Sequence, residues 1–298
     1  VTYFDNKGHT EQKCEQCGNN YESIYLHWSK SSSCENPDQI PYHKFALFSG
    51  GHDSLVSTHY AMENGLANCV VHLDTNTGIE ENIQFVKDVC EEFDWPLQIY
   101  SARMELEEFA KEFGFPKAAA HNWAYRYFKE RPLERVSRDA NAKMSEMYTG
   151  VRRSESQRRM QTVDDEKEEK GWTWYAPIAD WTEEDCDEYI EEHDLPKNSV
   201  VDNICRSGEC YCGAFAHRDE ELIDLAAEYP DHAEWLLKTE KRVQEDIGTE
   251  EDHCWWGAEG VSSDRLQELQ NSETRGETVP MMCKDCGVSF KEMEQTEK

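Results

Sequence analysis

The chain has 298 residues, enough to bury a real core, and suggests one main domain with one or two small ones beside it. Its 62 Asp and Glu against 31 Lys and Arg leave a formal charge of −31, which repels nucleic acid, anionic membranes and the chain itself. In molar salt the Debye length falls to about 3 Å, so this acidity reads as adaptation to a salt-rich cytosol.

No apolar run is long enough to span a membrane, and the opening "VTYFDNKGHTEQ" lacks the charged-then-apolar layout of a signal peptide. The expectation is a cytoplasmic protein with no membrane partner. Close-spaced cysteines inside a cell hold metal more often than disulfides. Of the 12 here, Cys69, Cys90 and Cys186 stand alone and read as small core residues, while the others fall into two clusters.

In chain order, residues 1–40 show no strong helical or strand period. They carry Cys14-x2-Cys17-x9-His27-x6-Cys34, with Tyr21, Tyr25 and Trp28 between. So short a segment cannot bury enough apolar surface to fold alone, and a tetrahedral Zn²⁺ on these four residues would supply the missing stability. A zinc-finger-like module is therefore expected, followed by a polar linker, Glu35 to Pro41.

Residues 41–200 form the expected main domain. "KFALF" (44–48) reads as a strand, Ser54 to Glu63 as a helix and "CVVHL" (69–73) as a second strand. Ile79 to Phe93 reads as a second helix, and "LQIY" (97–100) as a third strand. Strands alternating with helices imply an α/β doubly wound, mostly parallel sheet, with ligands at the carboxyl ends of strands. Ser49–Ser54 and Asp74–Gly78 fall there. Thr182, with Asp185 three residues on, reads as the N-cap of a helix over 183–192. Residues 201–298 are expected to be a Cys-rich, partly helical region, with helices near 218–228 and 231–246.

The stretch Ser49-Gly-Gly-His-Asp-Ser54 carries the chemistry. Gly50 and Gly51 are free to take positive φ and expose consecutive amides. The helix that follows adds its N-terminal partial charge, giving an anion cradle built mostly of backbone. Ser49 and Ser54 offer hydroxyls to the same oxygens, and Asp53 beside an anion calls for a bridging Mg²⁺.

This stretch resembles the PP-loop of the ATP pyrophosphatases, or adenine nucleotide α-hydrolases. "VVHLDTNTGIEENIQFV", "TGVRRSESQRR" and "APIADWTEEDCDEYI" are similar to later elements of that superfamily's PAPS-reductase-like branch, in order, from about Lys44 to Phe215. The resemblance implies that Ser49, Gly50, Gly51, His52, Asp53 and Ser54 hold the phosphates of an adenine nucleotide, ATP with Mg²⁺. Asp74, Thr75, Gly78 and Gly150 would line the nucleotide, and Arg152, Arg153 and Arg158 would contact phosphate. Asp53, Ser54, Arg152 and Arg153 would be the catalytic set.

The charge map agrees. His121 to Arg159 is net +5 in a chain of −31, and eight of its ten basic residues are Arg, which grips phosphate bidentately where Lys cannot. Within it, Arg135 and Arg138 read as helix-surface pairing residues, and His121 as a helix-surface residue.

The family divides by chemistry. One branch cleaves ATP to AMP and pyrophosphate to activate an acceptor for sulfur or nitrogen transfer, and the intact loop favours it. The other, sulfonucleotide (PAPS or APS) reductases, attacks a sulfonate with a cysteine thiolate from a C-terminal Glu-Cys-Gly-Ile/Leu-His element; the nearest match here, Asp285-Cys286-Gly287-Val288, lacks the His. A non-catalytic, nucleotide-gated nucleic-acid binder is the third reading. The second cysteine cluster, Cys205, Cys210, Cys212, Cys254, Cys283 and Cys286, would give four ligands to Zn²⁺ or a [4Fe–4S] cluster, between which spacing does not choose. A nucleic-acid acceptor or a sulfur-donor protein would be the partner, and the oligomeric state is open.

Overall fold

The computed structural model describes residues 4–5, 12–13, 20–21, 44–117, 121–140, 145–155, 165–169, 172–204, 207–248 and 254–257. The whole expected zinc set (Cys14, Cys17, His27, Cys34) lies outside the described residues, as do Arg158, Cys205, Cys283 and Cys286.

Three two-residue strands come first: β1 (Phe4–Asp5), β2 (Gln12–Lys13) and β3 (Asn20–Tyr21). β2 and β3 pair antiparallel, while β1 pairs parallel with a later strand, so the segment before the linker also contributes to the main sheet. The core then runs β4 (Lys44–Leu47), α1 (His52–Glu63), β5 (Cys69–Asp74), α2 (Glu80–Glu92) and β6 (Leu97–Ser101). α1 begins two residues ahead of the expected start, inside the glycine turn.

After α3 (Leu106–Phe113) comes a long helical passage: α4 (His121–Tyr125), a π-helical turn (Arg126–Glu130) and α5 (Arg131–Ala140). The wide turn lets consecutive Phe128 and Lys129 both face inward. β7 (Ser145–Tyr148), β8 (Glu166–Glu169) and β9 (Trp172–Tyr175) complete a seven-stranded sheet of order β1-β6-β5-β4-β7-β9-β8. It is parallel except for β8, which runs antiparallel to β9 at one edge. β5 is buried at all its positions, as a strand covered on both faces must be.

The helices α6 (Glu183–Glu192), α8 (Arg218–Glu228) and α9 (Pro230–Ile247) fall where the sequence places them, with the short α7 (Ser199–Ile204) between. The Thr182 cap is formed, its Oγ1 accepting from the Asp185 N–H at 3.1 Å. One face of the sheet packs Phe48, Val70 and Leu97 against α1, α2 and α6; the other packs Phe45, Val71 and Tyr100 against α5. A separate apolar core around Phe109, Leu236 and Trp256 joins α3, α4, α8 and α9.

Cys69, Cys90 and Cys186 are buried core residues, as expected. Two surface expectations fail. Arg135 is buried, and its guanidinium donates to the Ser101 carbonyl, tying α5 to the end of β6. His121 is buried against Phe215. In both cases the tertiary packing of α4 and α5 buries a face that the sequence pattern left exposed. No described helix is long and apolar enough to cross a membrane.

Candidate nucleotide site

The chain order β4, β5, β6 runs one way from the centre of the sheet, and β7 and β9 run the other. The crevice outside the carboxyl ends of β4 and β7 is thus the switch point where open parallel sheets take ligands. Ser49–Ser54 leaves β4 at this point. Gly50 has φ +93°, and an added Cβ there would sit 2.3 Å from Asn82 Oδ1, so both conformation and space demand glycine. Gly51 differs from expectation: as the N-cap of α1 it has φ −79° and ψ 160°, extended backbone open to any residue.

No described side chain caps α1, so its first-turn N–H groups have no side-chain acceptor among the described residues. The two hydroxyls are engaged within the turn. Ser54 Oγ donates to the Gly51 carbonyl at 2.8 Å, so its only proton is spent; across the 3.0 Å contact with Ser49 Oγ, Ser49 is the donor. They hold the shape of the loop on which the amides sit.

Gly150, just past β7, lies against this turn: an added Cβ would be 2.5 Å from the Asp53 carbonyl oxygen. That closeness brings the next loop over α1, where Arg152 Nε meets Asp53 Oδ2 at 3.0 Å. Burial opposes the Arg152 charge, but the Asp53 carboxylate outweighs it and holds the guanidinium above its usual range. The Asp53 charge thus has a partner within the chain. Arg153 turns outward and pairs with Asp165 and Asp180, so of the two adjacent arginines only Arg152 reaches the cradle turn. The His52 ring lies 3.7 Å from Asp202 of α7.

The loop after β5 is held by its own hydrogen bonds and by the loop at 207–212. Asp74 Oδ1 accepts from the Asn76 N–H at 2.9 Å and Oδ2 from Ser101 Oγ at 2.7 Å. Thr75 Oγ1 donates to the Glu209 carbonyl at 2.7 Å, and the Ile79 N–H donates to the Gly208 carbonyl at 2.8 Å. A Cβ on Gly78 would lie 2.6 Å from the Glu209 carbonyl oxygen. Thr75 and Gly78 therefore receive the cysteine-bearing loop 207–212 on top of the β5–α2 turn. Cys210 Sγ lies 3.6 Å from Thr77 Oγ1, and a Cβ on Gly51 would be 3.4 Å from Ser207 Cβ, so this loop borders the cradle.

Lys129, from the π-helical turn, reaches Glu209 with Nζ to Oε2 at 3.1 Å, both side chains nearly buried. Burial works against its charge, but Glu209 and the two nearby thiols more than offset this and keep it protonated. The Cys212 thiol donates to Cys210, which lowers the Cys210 pKa and raises that of Cys212. Cys254 sits on a turn held to this loop by Trp256 Nε1, which donates to the Tyr211 carbonyl at 2.8 Å. Among the described residues no group of three or more His, Cys, Asp and Glu is arranged to hold a metal ion.

Sequence reasoning missed Thr77, Asn82, Lys129, Asn198 and Glu209. Asn82 and Asn198 bridge to the carbonyls of Ser49 and Gly50, at 2.9 and 2.8 Å. Nothing local in sequence marks a single buried Asn as a partner for a turn 148 positions away.

Residues 43–212, more than half of the chain, match the phosphoadenosine phosphosulfate reductase domain. Adenosine 5′-phosphosulfate reductase of Burkholderia cepacia is 26% identical over 163 residues, covering 53% of this chain and 63% of that protein. Phosphoadenosine phosphosulfate reductase of Emericella nidulans is 30% identical over 144 residues, 46% of each protein. The chain thus spans less than two thirds of the length of these relatives. A solved phosphoadenylyl-sulfate reductase from Candida auris, in a phosphate complex, aligns at TM-score 0.43 and 20% identity over 60% of this chain and 82% of that one. The matched segment contains the glycine turn, its Arg152 partner and the loop through Cys212, and the chain belongs to the phosphoadenosine phosphosulfate reductase family.

Proposed function

We propose that the chain acts on an adenine nucleotide bearing a sulfonate, adenylyl sulfate or its 3′-phosphate, and passes that sulfonate to a cysteine thiolate. The observation that carries this reading is the place of Cys210, on the loop bordering the cradle, with its Sγ 3.6 Å from Thr77 Oγ1. The hydrogen bond from Cys212 lowers the Cys210 pKa most; burial opposes, and Lys129 and Thr77 add to the lowering. Thiolate is the nucleophilic form of cysteine. Cys90 and Cys186, pushed up to about 12 by burial, stay protonated at neutral pH, as does Cys212. The two relatives named above are reductases of this substrate class.

In this reading the α1 amides and Arg152 hold the nucleotide's anionic tail. The Cys210 sulfur attacks the sulfonate sulfur, forming an S–S bond as the S–O bond to the nucleotide phosphate breaks. The departing phosphate keeps the electron pair and rests in the cradle. A second thiol then attacks the S-sulfonate, frees sulfite and leaves a disulfide. Cys210 as nucleophile and Cys210 as metal ligand exclude each other. Where the cysteines hold a metal, Cys210 and Cys212 would be two of its ligands, and the nucleophile would come from elsewhere.

The test is sulfite release from adenylyl sulfate and its 3′-phosphate with excess dithiol. Cys210→Ser abolishes it, and iodoacetamide labels Cys210 before the other cysteines, more slowly as pH falls through its lowered pKa. Release undiminished in Cys210→Ser removes the residue from the role. A second reading, cleavage of ATP to AMP and pyrophosphate, is favoured by the intact loop and the uncapped first turn of α1, which suit a diphosphate. Pyrophosphate release from ATP, with no reaction of the sulfonucleotides, would select it.

A further inference from the structure

We infer that Asn82 and Asn198 are positioning residues that set which way the cradle's peptide groups point. The inference rests on reading Ser49–Ser54 as an anion cradle. In a planar trans peptide the carbonyl and the N–H of one unit point in opposite directions. Fixing the Ser49 carbonyl therefore fixes the Gly50 N–H, and fixing the Gly50 carbonyl fixes the Gly51 N–H.

Both carbonyls are pinned from within the protein. Asn82 Nδ2, from α2, donates to the Ser49 carbonyl at 2.9 Å. Asn198 Nδ2, from the segment before α7, donates to the Gly50 carbonyl at 2.8 Å. The two side chains are linked, Asn198 Nδ2 also donating to Asn82 Oδ1 at 2.8 Å, and Asn198 Oδ1 accepts from the Val200 N–H at 3.0 Å. Asn82 is fully buried and Asn198 is 1% exposed, so no water competes for these bonds. The amide orientations follow from the network: each Nδ2 faces a carbonyl that accepts only.

The pins matter because two consecutive glycines by themselves restrain a backbone little. A Gly-Gly pair can rotate a peptide unit at little steric cost. A flip would aim a carbonyl at the bound anion and turn an amide away from it. Gly50 and Asn82 also fit each other, since the space a Cβ on Gly50 would take is filled by Asn82 Oδ1. Among the described residues the Gly51 N–H meets Ser49 Oγ at 3.4 Å, a long contact that a ligand oxygen can replace. The role is to keep donors preorganised, so that binding does not have to order them.

The test uses calorimetric titration of the full chain with inorganic pyrophosphate and, separately, with adenosine, which has no anionic tail. Asn82→Ala and Asn198→Ala should each weaken pyrophosphate about tenfold. The double variant should lose little more than the worse single, because the two amides form one chain. Adenosine affinity should stay within about twofold throughout. Where an Ala variant does not fold, Asn82→Ser and Asn198→Ser take its place with the same expectation.

Unchanged pyrophosphate affinity in the variants overturns the inference while leaving the cradle standing. An equal fall for adenosine and pyrophosphate overturns it too, showing a general structural role. A wild-type chain with no affinity for pyrophosphate overturns both this inference and the cradle reading.

Discussion

Replacing Arg152 by Met removes the arginine charge that pairs with Asp53 at the cradle turn, and its effect can be worked through. Arg152 Nε is 3.0 Å from Asp53 Oδ2, with the Arg side chain 5% and the Asp side chain 25% exposed. With Arg152 gone, the Asp53 carboxylate stands unbalanced beside the bound anion. Two like unit charges about 5 Å apart at an effective dielectric near 20 repel by roughly 3 kcal/mol. Solvent at the partly exposed Asp53 trims that to roughly 2 kcal/mol, about thirtyfold in affinity.

Titration with pyrophosphate should show that loss in Arg152→Met. In Asp53→Asn the repelling charge is gone and Arg152 is released toward the ligand, so pyrophosphate should bind at least as well as to the wild type. The double variant should return to within a few-fold of wild type. If Asp53→Asn instead binds more weakly, and only when Mg²⁺ is present, Asp53 serves the anion through a metal and the reasoning from mutual neutralisation is wrong.

Gly150→Ala places a Cβ 2.5 Å from the Asp53 carbonyl oxygen and 2.7 Å from the Ser54 nitrogen, against backbone that cannot yield cheaply. Overpacking of this kind costs about 1–3 kcal/mol, so the melting point should fall by several degrees with a loss of pyrophosphate affinity; an unchanged melt would contradict the contact. His59 of α1 is buried among the rings of Phe93, Trp95, Tyr189 and His193, its Nδ1 2.9 Å from Tyr189 Oη, with Glu63 near. Burial lowers its pKa most, the His193 charge lowers it further, and Glu63 opposes. With the folded value below the unfolded one of about 6.5, the unfolded chain takes up the extra proton. Stability is therefore full above that pH and is lost as pH falls through the depressed value. Melting points should drop between pH 7.5 and 5, and His59→Phe should flatten that slope; an equal slope in the variant would sink the assignment.

The central sheet was legible because its elements carry their own signals. β4 and β5 are apolar runs, the glycine turn follows at once, and Thr182 announces α6. The adjacent arginines were not separable in sequence, since both carry the same charge. Burial beside Asp53 distinguishes Arg152, and Asp165 and Asp180 draw Arg153 outward. Thr75 and Gly78 were found at the correct place in the sheet, but their partner, the backbone of 208–209, is more than a hundred residues on and left no local trace. Asn82 and Asn198 were missed for the same reason. A buried amide bonding to backbone carbonyls can sit on any element that reaches the turn, and no spacing rule names it. The inward turn of Lys129 depends on a π-helical turn, whose extra residue breaks the 3.6-residue period on which helix-face assignments rest.

The central claim is that the amides after β4 grip the anionic tail of an adenine nucleotide. Titrating the wild-type chain with adenosine, AMP, adenylyl sulfate, ATP and pyrophosphate under one set of conditions tests it most directly. Affinity should rise with the charge and length of the 5′ tail, and pyrophosphate should displace the tailed nucleotides but not adenosine. Equal binding of adenosine and adenylyl sulfate, or no binding of any of these ligands, would contradict it.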